Sequence, residues 1–236
     1  MRNTVVRLTS LTLKNIKNVK NGTIIMPRAD EKKFEGCKAE ILGIYGQNGS
    51  GKTAIVDALY FLQNIMTGEK LEQSILDYID TDEVNAEVNA EFKIFEDSIL
   101  YEVGYHILVS KADNVSVIER EYLNCAINKD GYRTNKNIFM DYQRTQSEVV
   151  FTPLKRLAEL VGKDKNAKMD LIVARKMAER GNYSYIFGKE SREIFFKQRE
   201  GFKEYATVIH ALFNFAVRDL FVIRNSHSGV ISANFL

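Results

Sequence analysis

The sequence predicts an α/β fold organised round a phosphate-binding loop. Three observations predict it. An apolar run, Ile41-Leu42-Gly43-Ile44-Tyr45, leads into Gly46-Gln47-Asn48-Gly49-Ser50-Gly51-Lys52-Thr53, which satisfies G-x-x-x-x-G-K-[ST] with Gly46, Gly51, Lys52 and Thr53 at the fixed positions. A helical pattern follows, with Ile55, Ala58, Leu59, Leu62 and Ile65 on one face and a Thr67-Gly68 stop. Later the apolar period falls to two, through Val88, Ala90, Phe92 and Ile94, as strands require. Strand, glycine loop and helix in that order are the context the motif needs.

The residue types follow from the chemistry of a triphosphate, which needs many donors close together and no bulky side chains between them. Gly46, Gly49 and Gly51 let the backbone bend and come near. Successive backbone N–H groups then form an anion nest, backed by the free N–H groups and the positive end of the following helix. Lys52 supplies a mobile charge for the β- and γ-phosphates, and the Thr53 hydroxyl is placed to ligate Mg²⁺.

Before the loop, Val5 to Leu13 reads as a strand and Asn15 to Gly22 as a polar turn region. Thr23 to Met26 reads as a second strand stopped by Pro27. Arg28 to Glu40 is a charged loop, and Ile41 to Tyr45 is the buried strand that feeds the glycines. After the first helix, Leu71 to Ile79 reads as a short helix. Three runs follow, through Val88–Ile94, Tyr101–Val109 and Val115–Ile127. Glu96-Asp97-Ser98 and Lys111–Asn114 separate them, and the Asp130-Gly131 hairpin signal follows the last. That spacing predicts an antiparallel meander.

From Thr152 the pattern turns helical. Thr152 is an N-cap candidate, Pro153 a first helical residue and Gly162 a stop. Asn166 to Arg180 predicts a second helix with Met169, Ile172, Val173 and Met177 on one face, and the Met and Phe residues of these helices read as core rather than as a ligand pocket. Further helices are expected over Lys189–Arg199 and Phe202–Val217, then a buried strand over Leu220–Ile223. This gives one domain over 1–236, with a nucleotide-binding lobe at 1–150 and a helical segment with its strand at 151–236. The helices carry Lys155, Arg156, Lys163, Lys165, Lys168, Arg175, Lys176 and Arg180. Two readings stand for them: a DNA-tracking face, or a solvated surface with interspersed Asp and Glu.

Composition narrows the class. A chain of 236 residues with 45% hydrophobic and 27% charged residues is ordinary for a soluble globular protein, and a net charge of +2 announces no nucleic-acid partner. Cys37 and Cys125 make neither a disulfide framework nor a zinc site, and His106, His210 and His227 lack metal-ligand spacing. The basic N-terminus has no apolar core, so it is no secretory signal. Ile209 to Ile223 is too short and too charged to span a bilayer. A cytoplasmic location with no membrane partner is the expectation.

The N-terminal pattern resembles a known group. Leu11-Thr12-Leu13-Lys14-Asn15-Ile16-Lys17-Asn18, the strand at Thr23–Met26, the loop at 44–53 and Val56-Asp57-Ala58-Leu59 look like the start of the ABC-type ATPase heads of SMC, RecF and OLD-like proteins. Most similar are the stand-alone bacterial AAA-family ATP-binding proteins, many of them encoded in phage-defence operons. The resemblance implies an ABC-type head with a mixed sheet, an antiparallel β lobe and a helical segment, and ATP and Mg²⁺ as cofactors. It implies phosphate and metal contacts at Gly46, Asn48, Gly49, Ser50, Gly51, Lys52 and Thr53. Gln143 or Gln146 are candidates for the metal-holding glutamine of that group. It further implies dimerisation of two heads through ATP, an effector nuclease or other operon partner, and non-specific DNA.

Two features of that group are missing from the sequence. No signature segment is recognisable, and no Walker B strand ends in Asp and Glu. Phe92-Lys93-Ile94-Phe95-Glu96-Asp97 is its nearest imitation, and reads as an ordinary strand end. The chain therefore looks like the N-terminal part of a longer ATPase. The expected function is an ATP-driven switch in DNA maintenance or phage defence. A nucleotide-binding interaction module without turnover, or a self-contained P-loop NTPase or kinase, are the alternatives.

Overall fold

Two-residue alternation, interrupted by register shifts at Leu8/Ser10, Leu108/Val109 and Leu123/Asn124, builds the strands of this protein. The computed structural model describes residues 4–32, 41–112, 115–144, 149–152, 165–196, 203–225 and 231–233. The strands are β1 (Thr4–Ile16), β2 (Val19–Ile25), β3 (Asn85–Glu96), β4 (Ile99–Ala112), β5 (Val115–Lys129), β6 (Tyr132–Arg133), β7 (Asn137–Arg144) and β8 (Val149–Thr152). They form one sheet in the order β2-β1-β3-β4-β5-β7-β8, with β6 paired to β5. Every ladder in it is antiparallel. The meander read from the sequence is its centre.

Tight turns set the register. Asp130 and Gly131 both take positive φ (52° and 83°), the conformation a two-residue hairpin favours. The β1–β2 turn is equally tight. Ile16 pairs with Val19, so Lys17-Asn18 alone make the connection where the sequence suggested a longer polar region.

Alternate residues give the sheet an inner and an outer face. Leu11, Leu13, Val88, Phe92, Val103 and Ile107 are buried on the inner face. They belong to one core with Phe61, Leu62 and Ile65 of α1 (Lys52–Thr67) and with Val208, Ile209 and Leu212 of a later helix. Lys14 and Glu87 (2.8 Å) and Arg120 and Asp141 (2.8 Å) pair across strands on the other face. There they sustain the polar alternation that keeps that face wet.

Gly68 ends α1 in a left-handed conformation. The N–H of Gly68 donates to Ile65 O (3.0 Å) and that of Glu69 to Asn64 O (3.1 Å), as the expected stop requires. A 3₁₀ turn, Gln73–Tyr78, occupies the predicted short helix. Among the described residues the remaining helices are α2 (Lys165–Glu179), α3 (Lys189–Phe195) and α4 (Lys203–Asn214), the last running on into a π-helical turn, Phe215–Asp219. The link from α2 to α3 is anchored to the sheet by Glu121. This buried carboxylate accepts from Tyr105 Oη (2.5 Å), Ser184 Oγ (2.7 Å) and Tyr185 N (2.5 Å).

Four expectations are corrected. Ile41–Tyr45 is not a buried strand. It joins no ladder, and Ile41 and Tyr45 are 92% and 94% exposed. A run apolar on both faces needs strands beside it and layers over it, and no described segment supplies them. Leu220–Ile223 is not buried as a strand either. Val222 is buried but Phe221 and Ile223 are exposed, and the chain pairs only in a small ribbon of β9 (Ile223–Asn225) and β10 (Ile231–Ala233). On α2, Met169, Ile172 and Val173 are exposed, and the helix packs instead through Ala174 and Ala178. Small residues let it lie close to its support, which turns the larger ones outward. Finally, β7 and β8 continue the meander beyond the three runs read from the sequence, and Thr152 closes β8. The helix expected from Pro153 to Gly162 lies outside the described residues.

Candidate functional site

The β1–β2 turn, α1 and the glycine loop meet at one end of β1. Lys17 has a left-handed backbone (φ 51°), and its N–H donates to Tyr78 O (2.6 Å). Its ammonium is ion-paired with the buried carboxylate of Asp57, one turn into α1, and lies 5.5 Å from the centre of the Tyr78 ring. The turn is thereby held down on the helix, and its next residues wall the glycine loop. A Cβ on Gly51 would lie 2.5 Å from Val19 Cγ2, and one on Gly49 would touch the Asn18 carboxamide at 4.0 Å.

The loop is built for an anion. Gly49 and Gly51 take φ of 84° and 87°, values that side chains resist. Ser50 N–H donates to Gln47 O (3.2 Å), which closes the turn. Gly51 is the N-cap of α1. No side chain caps it and no acid occupies the first helical turn, so the first amides and the dipole remain uncompensated. The Lys52 ammonium donates to Gly46 O (2.7 Å), Gln47 O (2.6 Å) and Ser50 Oγ (3.3 Å). All three are neutral acceptors, which an incoming phosphate outcompetes. Gly46, Asn48, Gly49, Ser50 and Thr53 are solvent-exposed. These features fit a polyphosphate, and Thr53, next to Lys52, is exposed beside them.

The remaining candidates lie elsewhere. Gln143 is level with Lys14 but four strands across, roughly 19 Å at the usual strand spacing. It donates to Asp141 Oδ2 (3.0 Å) on the outer face, while its neighbour Tyr142 takes the inner one. The structure does not bring it to Lys52 or Thr53, and Gln146 lies outside the described residues. Glu96 pairs opposite Thr4, at the far end of β1, and Asp97 is a turn residue with φ 53°. His106 contacts Glu87 (3.3 Å) and His210 packs edge-on to Phe196. The Cys125 thiol is buried, which pushes it up to about 12. Among the described residues no group of three His, Cys, Asp or Glu could hold a metal.

Sequence reasoning missed Lys17, Val19 and Asp57 as parts of the site. One signal was available: Asp57 is an acid inside an apolar helical pattern, which calls for a buried cation beside it.

A family model described as AAA domain matches residues 10–207. Over 99 residues, 42% of this chain, the sequence is 33% identical to the DNA replication and repair protein RecF of Deinococcus radiodurans. The chain spans 24% of that relative's length.

Proposed function

This chain belongs to the AAA domain family, and from that premise we propose that it is an ATPase head of the SMC/RecF type, which binds Mg·ATP as one half of a switch that acts on DNA in the cytoplasm. The observation that carries the reading is the loop at 46–53. Two left-handed glycines, an uncapped helix N-terminus and an ammonium parked on neutral carbonyls converge there. In this reading the amides of 49–53 cradle the phosphates. Lys52 turns from Gly46 O and Gln47 O to the β- and γ-oxygens. Thr53 Oγ1 would hold Mg²⁺, which would supply positive charge to offset that of the phosphates. Val19 and Asn18 keep the loop from opening on that side.

The exposed run Ile41–Tyr45 supports a second part of the proposal. An apolar strand leading into a phosphate loop belongs between parallel strands. We assign those strands, with the Walker B carboxylates and the signature segment, to polypeptide beyond the described residues. Two such heads would then close on ATP as a homodimer and pass the signal to an effector such as a nuclease, in DNA maintenance or in phage defence. RecF, which the chain resembles in part, is by name a replication and repair protein.

The test is a titration with a fluorescent ATP analogue in Mg²⁺. Lys52→Ala removes a charge-assisted contact worth roughly 1.5–3 kcal/mol, so affinity should fall at least about tenfold with the fold intact. Equal affinities would remove the assignment.

A further inference from the structure

The outward ridge of α2 has no role in nucleotide binding. Met169, Ile172 and Val173 stand at helical spacing on one face and are 59%, 49% and 37% exposed. The helix already has its own packing face in Ala174 and Ala178. Lys165 at one end and Lys176 and Arg180 at the other continue the ridge along the helix, and Lys168 flanks it; all four are exposed, with no carboxylate partner among the described residues. Arg175, by contrast, is paired with Glu179 (3.2 Å). The face is therefore a one-turn apolar patch with basic residues at both ends and on one flank.

We propose that this face of α2 docks an acidic amphipathic helix of a partner protein. The patch asks for apolar side chains at i, i+3, i+4 spacing, and the cations ask for carboxylates beside them. The apolar patch runs from Met169 to Val173, about 6 Å of helix, and the cations at 165, 176 and 180 carry the contact into the turns on either side. A second copy of this chain fits poorly, because none of the described helices pairs an apolar strip with an acidic rim. Nucleic acid would satisfy the lysines but leave the three central apolar residues in water.

The test uses the whole chain and an 18-residue probe peptide with Leu at i, i+3, i+4 and i+7 and Glu elsewhere. The comparison probes are a scrambled peptide of equal composition, a DNA duplex and phosphatidylserine vesicles. The helix-patterned peptide should bind, weaken as salt rises, and slow amide exchange over 165–180. Ile172→Asp should weaken it at least about tenfold. Lys168→Glu with Lys176→Glu should weaken it likewise and flatten the salt dependence. Both changes are on the surface, and circular dichroism confirms the fold. Met169→Ser serves if Ile172→Asp does not fold. No binding by the acidic helix, equal binding by the scrambled peptide, or indifference to these variants overturns the proposal. So does DNA or vesicle binding that depends on Ile172 while the acidic helix fails to bind.

Discussion

Lys17 in the β1–β2 turn is ion-paired with Asp57 on α1, and the pair ties the wall of the glycine loop to the helix the loop feeds. Asp57 is only 3% exposed at its side chain, while Lys17 keeps a third of its own surface. Lys17→Met removes the cation that faces the buried Asp57 carboxylate. The expected loss is roughly 1–3 kcal/mol of stability. The turn should also loosen from Gly51, so Mg·ATP affinity should fall by several-fold. Urea denaturation and the nucleotide titration measure the two effects separately. Stability and affinity both unchanged would show that the ion pair does not hold the turn.

Gly51→Ala meets two obstacles that can be told apart. The left-handed backbone costs an alanine about 1–2 kcal/mol. The new methyl also strikes Val19 Cγ2 at 2.5 Å. Val19→Ala in the same chain removes the clash but not the backbone cost. The double variant should therefore recover part of the thermal stability lost by Gly51→Ala, and little of the nucleotide affinity. Full recovery of both would mean that the φ of residue 51 is unimportant to the loop.

Local chemistry made most of this fold legible. Period-two runs with short polar turns announced the central strands, and Gly68 announced the end of α1, because each is decided within a few residues. The loop was legible for the same reason. Long-range partners were not. Ile41–Tyr45 reads as a buried strand, but whether such a run is buried depends on strands far away in sequence. On α2 the apolar pattern marked a face correctly and assigned it the wrong side, because Ala174 and Ala178 pack as well as larger residues and approach closer. Lys17 escaped notice because a lysine in a polar turn looks solvated until the helix beside it presents Asp57.

His106 should give stability an acid limb. Burial lowers its pKa from the ordinary 6.5, against the opposing pull of Glu87, while Arg120 lowers it further and Asp141 raises it. The unfolded chain then binds more protons than the folded one in the interval just below 6.5. Stability is fully present above that interval and is lost as pH falls through it. Glu87 is also lowered, chiefly by its hydrogen bond from Lys14, so a second loss follows below 4.5. Urea midpoints from about pH 7.5 down to about pH 4 should show both steps. His106→Gln should remove the first step and keep the second. A first step that survives in His106→Gln would assign it to another group.

Turnover is the sharpest expectation. Phosphoryl transfer needs an oriented water as well as held phosphates. The loop, Lys52 and Thr53 hold phosphate. The nearest imitation of a Walker B end, Glu96-Asp97, is at the wrong end of the sheet. Lys14 pairs opposite Glu87 near the loop, whereas Glu96 pairs opposite Thr4. The 13 residues of β1 separate those ends by roughly 40 Å. No side-chain motion spans that distance. Residues 1–236 alone should therefore bind Mg·ATP and release phosphate no faster than Lys52→Ala. Losing a water-orienting group typically costs about a hundredfold or more in rate. Phosphate release measured across a protein concentration series decides the matter. A flat, Lys52-independent rate is the expected result, with activity restored when polypeptide carrying the Walker B and signature segments is supplied. Clear Lys52-dependent release by the chain alone would place a catalytic carboxylate within it. The 40 Å separation would then direct the search away from Glu96 and Asp97, to acids nearer the β1–β2 turn.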